Sequence, residues 1–295
     1  MSTFYSNMFL ISGYLQPIQF VLGILANMFS IWIFCSRPFR TSACAQYFLA
    51  YTIFNMMYAS SASSAQFLRL FHIEWSNGPI RCYVLNFILL YPTVASRVML
   101  VFATFDRCCS SSASLRLRSI STVKIARIVI ITVTILVFID LSPAFVIYYW
   151  NETNQICATY TDRISNTFFF IQVILYYILG PVLILLFGGL TVYNIRKYKV
   201  HVQNNRRTEG QLARMLLTQI AIHIILTVPF GVVYFMQALD PSIRTLNMLA
   251  IRYLLAIFYQ CDFFIAFFLY VLTGKVYRRQ FFKILTHRNR QVSPR

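Results

Sequence analysis

The stretch IARIVIITVTILVFIDLSPAFVIYY, residues 125–149, decides the fold of this chain. Its 25 residues include only two charged side chains, Arg127 near one end and Asp140 toward the other. A helix needs about 20 mainly apolar residues to cross the hydrocarbon core of a bilayer. The stretch is therefore predicted to be a transmembrane helix.

The 295-residue sequence contains six further apolar stretches of similar length, and they lie at residues 10–34, 45–67, 82–105, 167–193, 212–238 and 246–272. Seven spans leave room only for short loops and tails. The sequence thus predicts an all-α membrane protein, a seven-transmembrane helix bundle that forms one domain over residues 1–295. The first nine residues carry no basic segment, so the first stretch is predicted to be a span and not a cleaved signal peptide.

The composition excludes several classes of protein. Hydrophobic residues make up 58% of the chain and charged residues 12%, whereas soluble domains average about 25% charged residues. These values exclude a soluble globular domain, a disordered tail and a small disulfide-rich scaffold. The formal net charge of +18 would indicate nucleic-acid binding only if the basic residues formed a solvated face. Little surface remains for such a face, so no nucleic-acid partner is expected.

The basic residues concentrate on one side of the predicted membrane. Of the 26 Lys and Arg residues, 20 lie around the loops after spans 1, 3 and 5 and in the tail after span 7. The positive-inside rule places those segments in the cytoplasm, with the N-terminus outside and the C-terminus in the cytoplasm. The tail begins with a basic amphipathic stretch, Lys275–Ile284, which is predicted to form a short helix on the lipid of the inner leaflet.

Two features of the predicted outer side agree with this orientation. Asn151-Glu152-Thr153 is a glycosylation sequon in the loop after span 4. Cys82 and Cys157 both lie on the oxidising side, and a disulfide between them would tie that loop to the start of span 3.

The end of span 3 carries the most specific motif, Asp106-Arg107-Cys108, with Arg107 lying 25 residues after Cys82. On these residues the chain resembles the rhodopsin-like (class A) G-protein-coupled receptor family, whose Asp-Arg-Tyr motif stands here as Asp-Arg-Cys. The resemblance covers all seven spans, and its further matches are Asn27 in span 1, Pro181 in span 5, Pro229 in span 6 and Tyr270 in span 7. The segments at residues 214–217 and 269–277 are similar to those of invertebrate neuropeptide-type receptors.

The resemblance implies a receptor that converts the binding of an extracellular ligand into activation of a heterotrimeric G protein. It assigns an activation switch to Asp106, Arg107, Glu209, Tyr270, Pro229 and Pro181. Within that switch, Glu209 at the start of span 6 would pair with Arg107 in an inactive-state lock. The alternative is that both are charges at helix ends that extend to the membrane surface.

Polar residues inside the predicted membrane depart from the family pattern. The family's sodium-binding aspartate in span 2 is Asn55 here, which leaves Asp262 in span 7 to supply a carboxylate for a sodium ion. Asn27 and Ser96 would lie beside it. The alternative is a protonated or arginine-paired Asp262 that stabilises helix contacts.

Arg97 in span 3 and His223 in span 6 replace residues that the family packs against the span 5 proline. An arginine inside a membrane normally faces the bundle and finds a partner, for which Asp262 and Asp140 are candidates. Arg97 and His223 are predicted to form a polar connector that tunes the active state, with a purely structural ion pair as the alternative.

The resemblance places the ligand pocket between spans 3, 5, 6 and 7. Leu89 occupies the position where amine receptors carry aspartate, and Gln260 stands where opsins attach retinal. Amine and retinal ligands are therefore not expected, and a sodium ion is the sole candidate cofactor. The polar side chains near the pocket are Asn86, Thr93, Tyr234, Gln237, Tyr259, Gln260 and, at the rim, Arg252. A peptide fits the resemblance and the mixed charges at the mouth of the pocket, although each of these residues could instead serve helix packing.

Other functions have weaker support in the sequence. No HExxH, Walker or GxSxG motif is present, so enzymatic activity is not expected. The best alternative is a seven-helix transporter or channel whose ion path runs through Arg97, Asp140 and Asp262. Against this alternative, the chain shows no inverted repeat, and seven spans do not divide into two equal halves.

Overall fold

The computed structural model describes residues 3–63, 68, 78–153, 156–160, 163–197, 206–239 and 245–285. The elements in chain order are α1 (Thr3–Phe34), α2 (Arg37–Arg40), α3 (Ala43–Tyr58), α4 (Pro79–Ser111), α5 (Leu115–Ile120), α6 (Val123–Leu141), α7 (Ala144–Ile147), β1 (Tyr148–Asn151), β2 (Ile156–Thr159), α8 (Arg163–Val173), α9 (Gly180–Lys197), α10 (Arg206–Leu239), α11 (Leu246–Thr273) and α12 (Lys275–Leu285). Two π-helical segments continue helices. Ala59–Ser63 follows α3, and Ile174–Leu179 joins α8 to α9.

Six helical runs in the described part of the chain are long and apolar enough to cross a membrane. They are Phe4–Phe34, Pro79–Ser111, Val123–Ile147, Arg163–Lys197, Gln211–Met236 and Leu246–Thr273. Each overlaps one of the predicted spans. The remaining predicted span, residues 45–67, begins in α3 and continues through the π segment to Ser63, and residues 64–67 lie outside the described residues.

A β-hairpin departs from the predicted all-helical course of span 4. Tyr148 and Tyr149, which the sequence assigned to the end of that helix, lie in β1, which pairs antiparallel with β2. The helix ends at Leu141, and Pro143 follows two residues later. Because proline has no backbone N–H, it cannot continue the hydrogen bonding of α6.

The bundle carries apolar side chains on its outside and polar side chains within. On α6, Ile128, Ile131, Ile135 and Ile139 are 54–62% exposed and recur at helical spacing. The buried polar side chains include Asn27, Asn55, Ser96, Arg97, Gln219, His223 and Asp262. An apolar outer face is unfavourable in water and is solvated by lipid, so this distribution is that of a membrane-spanning bundle.

Side-chain amides join α1 to α11. Gln19 donates from Nε2 to the carbonyl oxygen of Ile257 at 3.0 Å, and Asn27 donates from Nδ2 to that of Phe263 at 2.9 Å. Such interhelical hydrogen bonds stabilise helix association in lipid, where the hydrophobic effect between helices is absent.

Helix α12 begins directly after Gly274 and packs against the bundle. Its Tyr277 is fully buried, and the hydroxyl lies 2.8 Å from Ser30 Oγ on α1. Burial raises the pKa of the Tyr277 phenol, so the hydroxyl stays protonated and available to Ser30. The backbone N–H of Val276 donates to Gln211 Oε1 on α10 at 2.8 Å.

Candidate ligand pocket and signalling switch

The candidate site residues divide between the two ends of α4. Cys82 lies at its start, together with Cys157 of β2, and we name this the disulfide end. Asp106 and Arg107 lie at the opposite end, which we name the Arg107 end. At a rise of 1.5 Å per residue, the helix between Cys82 and Arg107 is about 37 Å long, so it spans the hydrocarbon core.

A disulfide attaches the β-hairpin to α4. The Cα atoms of Cys82 and Cys157 are 5.4 Å apart. Asn86, one turn further along α4, donates from Nδ2 to Cys82 O at 2.8 Å and to Cys157 Sγ at 3.1 Å. Asn86, which the sequence placed near the ligand, thus holds the disulfide and hairpin. The sequon residue Asn151 ends β1 and is half-buried.

Arg97 lies inside the bundle between aromatic rings. Its side chain is 5% exposed, and its guanidinium carbon is 4.6 Å from the ring centroid of Tyr177 and 4.8 Å from that of Tyr259. Further rings contact these two, and we name the whole group the aromatic cage, which comprises Tyr58, Tyr177, Phe230, Tyr259 and Phe263. The ring faces compensate part of the hydration that the guanidinium has lost.

Asp262 pairs with His223 and not with Arg97. Asp262 Oδ2 on α11 lies 2.7 Å from His223 Nδ1 on α10. Within the described part of the chain, Arg97 forms no ion pair with a carboxylate. Arg97 thus does not pair with Asp262, one of its two candidate partners, because the guanidinium lies between the rings of Tyr177 and Tyr259 while the imidazole reaches the carboxylate.

Asp140, the second carboxylate considered as a partner of Arg97, is also engaged elsewhere. Its Oδ2 accepts hydrogen bonds from the Tyr176 hydroxyl at 2.6 Å and from Gln172 Nε2 at 3.2 Å. These contacts join the end of α6 to the α8–α9 run. Asp140 is thus a structural link between neighbouring helices in this structure.

The residues considered for a sodium ion include two buried oxygen atoms that are free to accept a ligand. Asp262 Oδ1 and Asn55 Oδ1 have no hydrogen-bond partner among the described residues. The Ser96 hydroxyl donates to Thr93 O, and the Asn27 amide nitrogen donates to backbone carbonyls. Carboxylate and amide oxygens suit a hard cation, so the residues fit the predicted sodium site, which stays a prediction.

Two predicted pocket residues extend the rings of the aromatic cage toward the disulfide end. The ring of Tyr234 lies 6.0 Å from that of Tyr177. Arg252, exposed at the start of α11, places its guanidinium carbon 6.0 Å from the Tyr234 ring centroid. Tyr259, also predicted for the pocket, belongs to the cage itself.

The other predicted pocket residues serve packing or are buried. The Thr93 hydroxyl donates to Leu89 O one turn earlier in α4 at 2.8 Å. Leu89 packs against the aromatic cage, and Gln260 is 5% exposed. The side chain of Gln237 lies outside the described residues.

At the Arg107 end, the two charged residues of the motif bind different parts of the chain. Arg107 is 4% exposed, and its Nη2 donates to Ser42 Oγ, just before α3, at 3.2 Å. Asp106 Oδ1 accepts from Ser121 Oγ, between α5 and α6, at 2.8 Å. The side chain of Glu209 lies outside the described residues, so the lock with Arg107 stays a prediction.

A hydrogen bond joins helices α10 and α11 near the Arg107 end. The Tyr270 hydroxyl, which is fully buried, donates to Gln219 Oε1. Pro229 lies within α10, ten residues further from the Arg107 end. The bond therefore attaches to α11 the segment of α10 that lies between Pro229 and the Arg107 end.

The π segment before Pro181 presents Tyr177 to the interior. The Gly180 N–H donates to Leu175 O, the wider bonding of a π turn. On α10, a Cβ atom at Gly231 would lie 2.5 Å from Tyr177 Cδ1. Only a glycine at this position lets the ring pack against the α10 backbone.

Sequence reasoning missed several residues of these sites, namely Tyr58, Tyr177, Phe230 and Phe263 of the cage, and Ser42, Ser121, Tyr176 and Gln219 as hydrogen-bond partners. Gln219 carried a usable signal, because it is an amide within an apolar span. The cage residues carried none, because aromatic residues make up 17% of the chain.

Comparisons with known proteins agree with this geometry. The family described as 7 transmembrane receptor (rhodopsin family) matches residues 26–263. Lysophosphatidic acid receptor 4 of Mus musculus is 23% identical and that of Homo sapiens 22% identical, each over 254 residues that cover 82% of this chain and 67% of the relative. The chain therefore belongs to the rhodopsin family of seven-transmembrane, G-protein-coupled receptors, which are multi-pass membrane proteins and not enzymes.

Proposed function

We propose that the disulfide end of this receptor faces the outside of the cell and that the Arg107 end meets the G protein in the cytoplasm. The sequence supports this orientation, because 20 of the 26 basic residues lie around the loops after spans 1, 3 and 5 and in the tail after span 7. The disulfide supports it as well, since such bonds persist in oxidising compartments. With receptors as relatives, the transporter alternative has no independent support.

We propose that the signal passes through a movement of α10 about Pro229. A proline removes a backbone hydrogen bond from a helix and creates a point of bending. The Tyr270–Gln219 hydrogen bond and the predicted Arg107–Glu209 lock would separate as α10 moves away from α11. A ligand drives this change only through a higher affinity for the moved state.

The ligand class that the geometry supports best is a peptide. The observation that carries this proposal is the β1–β2 hairpin, fixed to α4 by the Cys82–Cys157 bond. No third strand covers its edges in the part of the chain that the structure describes. Exposed sheet edges offer backbone donors and acceptors that an extended peptide can pair with. The stacked rings of Tyr149 and Tyr160, 4.3 Å apart, add aromatic surface beside the hairpin.

A lysophospholipid is the second candidate. Both relatives reported above are named as receptors for lysophosphatidic acid. The buried Arg97 in its aromatic cage provides a cation inside an apolar environment, which suits an anionic head group attached to a hydrocarbon chain.

The test is a screen in cells that express the receptor together with a promiscuous G protein. A peptide library, lysophosphatidic acid and an uncharged monoacylglycerol of the same chain length are applied in separate arms. We expect peptides to give a response that Arg107→Ala abolishes without loss of surface expression. A response to lysophosphatidic acid alone would replace the peptide by the second candidate. No response and no basal signal, at normal surface expression, would contradict both ligand proposals.

A further inference from the structure

Arg97 is a buried cation whose charge the bundle compensates only in part. It lies midway along α4 and is 5% exposed. Placing a guanidinium at this depth is unfavourable unless partners replace its hydration. The faces of Tyr177 and Tyr259, at 4.6 and 4.8 Å, cover it and supply cation–π attraction. Ring faces accept no conventional hydrogen bond from the edge of the guanidinium.

One edge of the Arg97 guanidinium, formed by Nε and Nη2, lacks a hydrogen-bond acceptor among the described residues. Its Nε and Nη2 atoms are buried and have no hydrogen-bond partner among the described residues. The Asp262 carboxylate does not accept from Arg97, since its Oδ2 lies at His223 Nδ1 and its Oδ1 has no hydrogen-bond partner among the described residues. Asp140 Oδ2 accepts from Tyr176. The N–H groups of Nε and Nη2 are parallel and form the fork that binds two oxygens of one carboxylate or phosphate.

Aromatic rings connect this fork with the disulfide end. From Tyr177 the rings continue to Tyr234, and the face of Tyr234 lies beneath Arg252. On α11, Arg252 precedes Tyr259 by about two helical turns, so about 10 Å separates the levels of the two arginines. A molecule with an apolar body of this length and an anionic end matches the spacing of the two arginines along these rings.

We infer that Arg97 anchors an oxyanion, a carboxylate or a phosphate, at the buried end of the receptor's ligand. The inference rests on the proposed function and adds the chemistry of the ligand's inner end. A peptide would supply the group as its C-terminal carboxylate, and a lysophospholipid would supply it as a phosphate. The oxyanion accepts from Nε and Nη2 of Arg97 and neutralises the buried charge, while the apolar body lies along Tyr177 and Tyr234.

The test measures the unfolding temperature of the full-length receptor in nanodiscs of zwitterionic lipid. The lipid arm compares dodecyl phosphate with dodecanol, and the peptide arm compares N-acetyl-Phe-Leu-Phe as the free acid with the same peptide as its amide. We expect at least one anionic probe to raise the midpoint by about 5 °C at a hundredfold excess over its Kd, and the neutral counterpart to leave it unchanged. The arm that responds identifies the source of the oxyanion.

Variants assign the effect to Arg97. Arg97→Met should abolish the anion-dependent shift, and Arg97→Lys, which keeps the charge without the fork, should retain part of it. Arg163→Gln removes an exposed positive charge near the disulfide end and should retain the full shift. An equal shift in Arg97→Met overturns the inference. So does a wild-type receptor that no anionic probe stabilises, whether or not the variants fold.

The outcome separates this inference from the proposed function. A receptor that responds in the ligand screen but shows no anion-dependent shift refutes the anchor and leaves the proposed function intact. An Arg97-dependent shift without any G-protein response supports the anchor and counts against the proposed function.

Discussion

At the scale of single residues, the interior of this receptor depends on how three ionisable side chains are partnered. Asp262 and His223 form one pair, and Arg97 lies apart from them between two tyrosine rings. Sequence reasoning identified all three, because an ionisable residue in an apolar span needs a partner. It left Asp262 and Asp140 open as partners of Arg97, and among the described residues neither forms an ion pair with it, because helix rotation and side-chain direction determine which groups meet.

The Asp262–His223 pair gives a prediction on stability. Asp262→Asn and His223→Gln should each lower the free energy of unfolding by about 3 kcal/mol, because each leaves the other partner buried and unpaired. The double variant should lose less than the sum, with a coupling of about 1–3 kcal/mol. Thermal unfolding of the four proteins in nanodiscs measures the cycle. Strictly additive losses would contradict a direct pair.

At the scale of elements, the π segment Ile174–Leu179 and the glycine opposite it shape the aromatic cage. Helical periodicity in the sequence predicts one continuous helix through this region, and a π turn leaves no signature in hydrophobic spacing. Gly231 of α10 gives Tyr177 the space to approach. The cage therefore depends on contacts between two helices, and the sequence of either helix alone does not predict it.

Gly231→Ala should disturb the cage, because the new Cβ would lie 2.5 Å from Tyr177 Cδ1 and 3.1 Å from Tyr177 Cβ. We expect a stability loss of about 1–3 kcal/mol from overpacking, together with loss of any Arg97-dependent stabilisation by anionic probes. Gly189→Ala is the matched control, since no atom lies within 4 Å of its Cβ position. Equal behaviour of the two variants would show that the close contact has no role.

Helix α12 is the second element whose position has a local cause. The sequence predicted an amphipathic surface helix over residues 275–284, and the structure places α12 at Lys275–Leu285. Its attachment to the bundle depends on the buried ring and hydroxyl of Tyr277, which contacts Ser30 and stacks edge-on against Tyr270. The amphipathic pattern alone predicts a lipid contact and not this anchor.

Tyr277→Ala should detach α12 and lower the free energy of unfolding by about 3–5 kcal/mol, the usual cost of removing a fully buried aromatic ring. Phe282→Ala on the same helix should cost less than about 1 kcal/mol, because that side chain is 53% exposed. Chemical unfolding in detergent micelles compares the two. A similar loss in both variants would argue against Tyr277 as the anchor.

At the scale of the whole molecule, the distribution of charge decides which end faces which compartment. The basic residues concentrate in the segments after spans 1, 3, 5 and 7, whereas the disulfide end carries the hairpin and the sequon. The proposed orientation places Asn151 in the compartment where glycans are attached and the C-terminal tail in the cytoplasm.

This orientation predicts a glycan on Asn151 of the receptor expressed in animal cells. Asn151→Gln and Thr153→Ala should each remove an endoglycosidase-sensitive mass shift, whereas Glu152→Gln, which leaves the sequon intact, should retain it. A C-terminal epitope should bind antibody only after the cells are permeabilised. Antibody binding to this epitope on intact cells would contradict the proposed orientation.

The sequence by itself determined that the chain crosses a membrane, about where its helices lie and which end carries the positive charge. These properties follow from the length of apolar segments and the composition of short loops, both of which are local. Only the tertiary structure decided that Asp262 meets His223, that Arg97 lies between the rings of Tyr177 and Tyr259, and that the end of span 4 becomes a hairpin. Those outcomes depend on helix rotation, on a π turn and on packing between segments distant in the chain, none of which is encoded in the periodicity of a single segment.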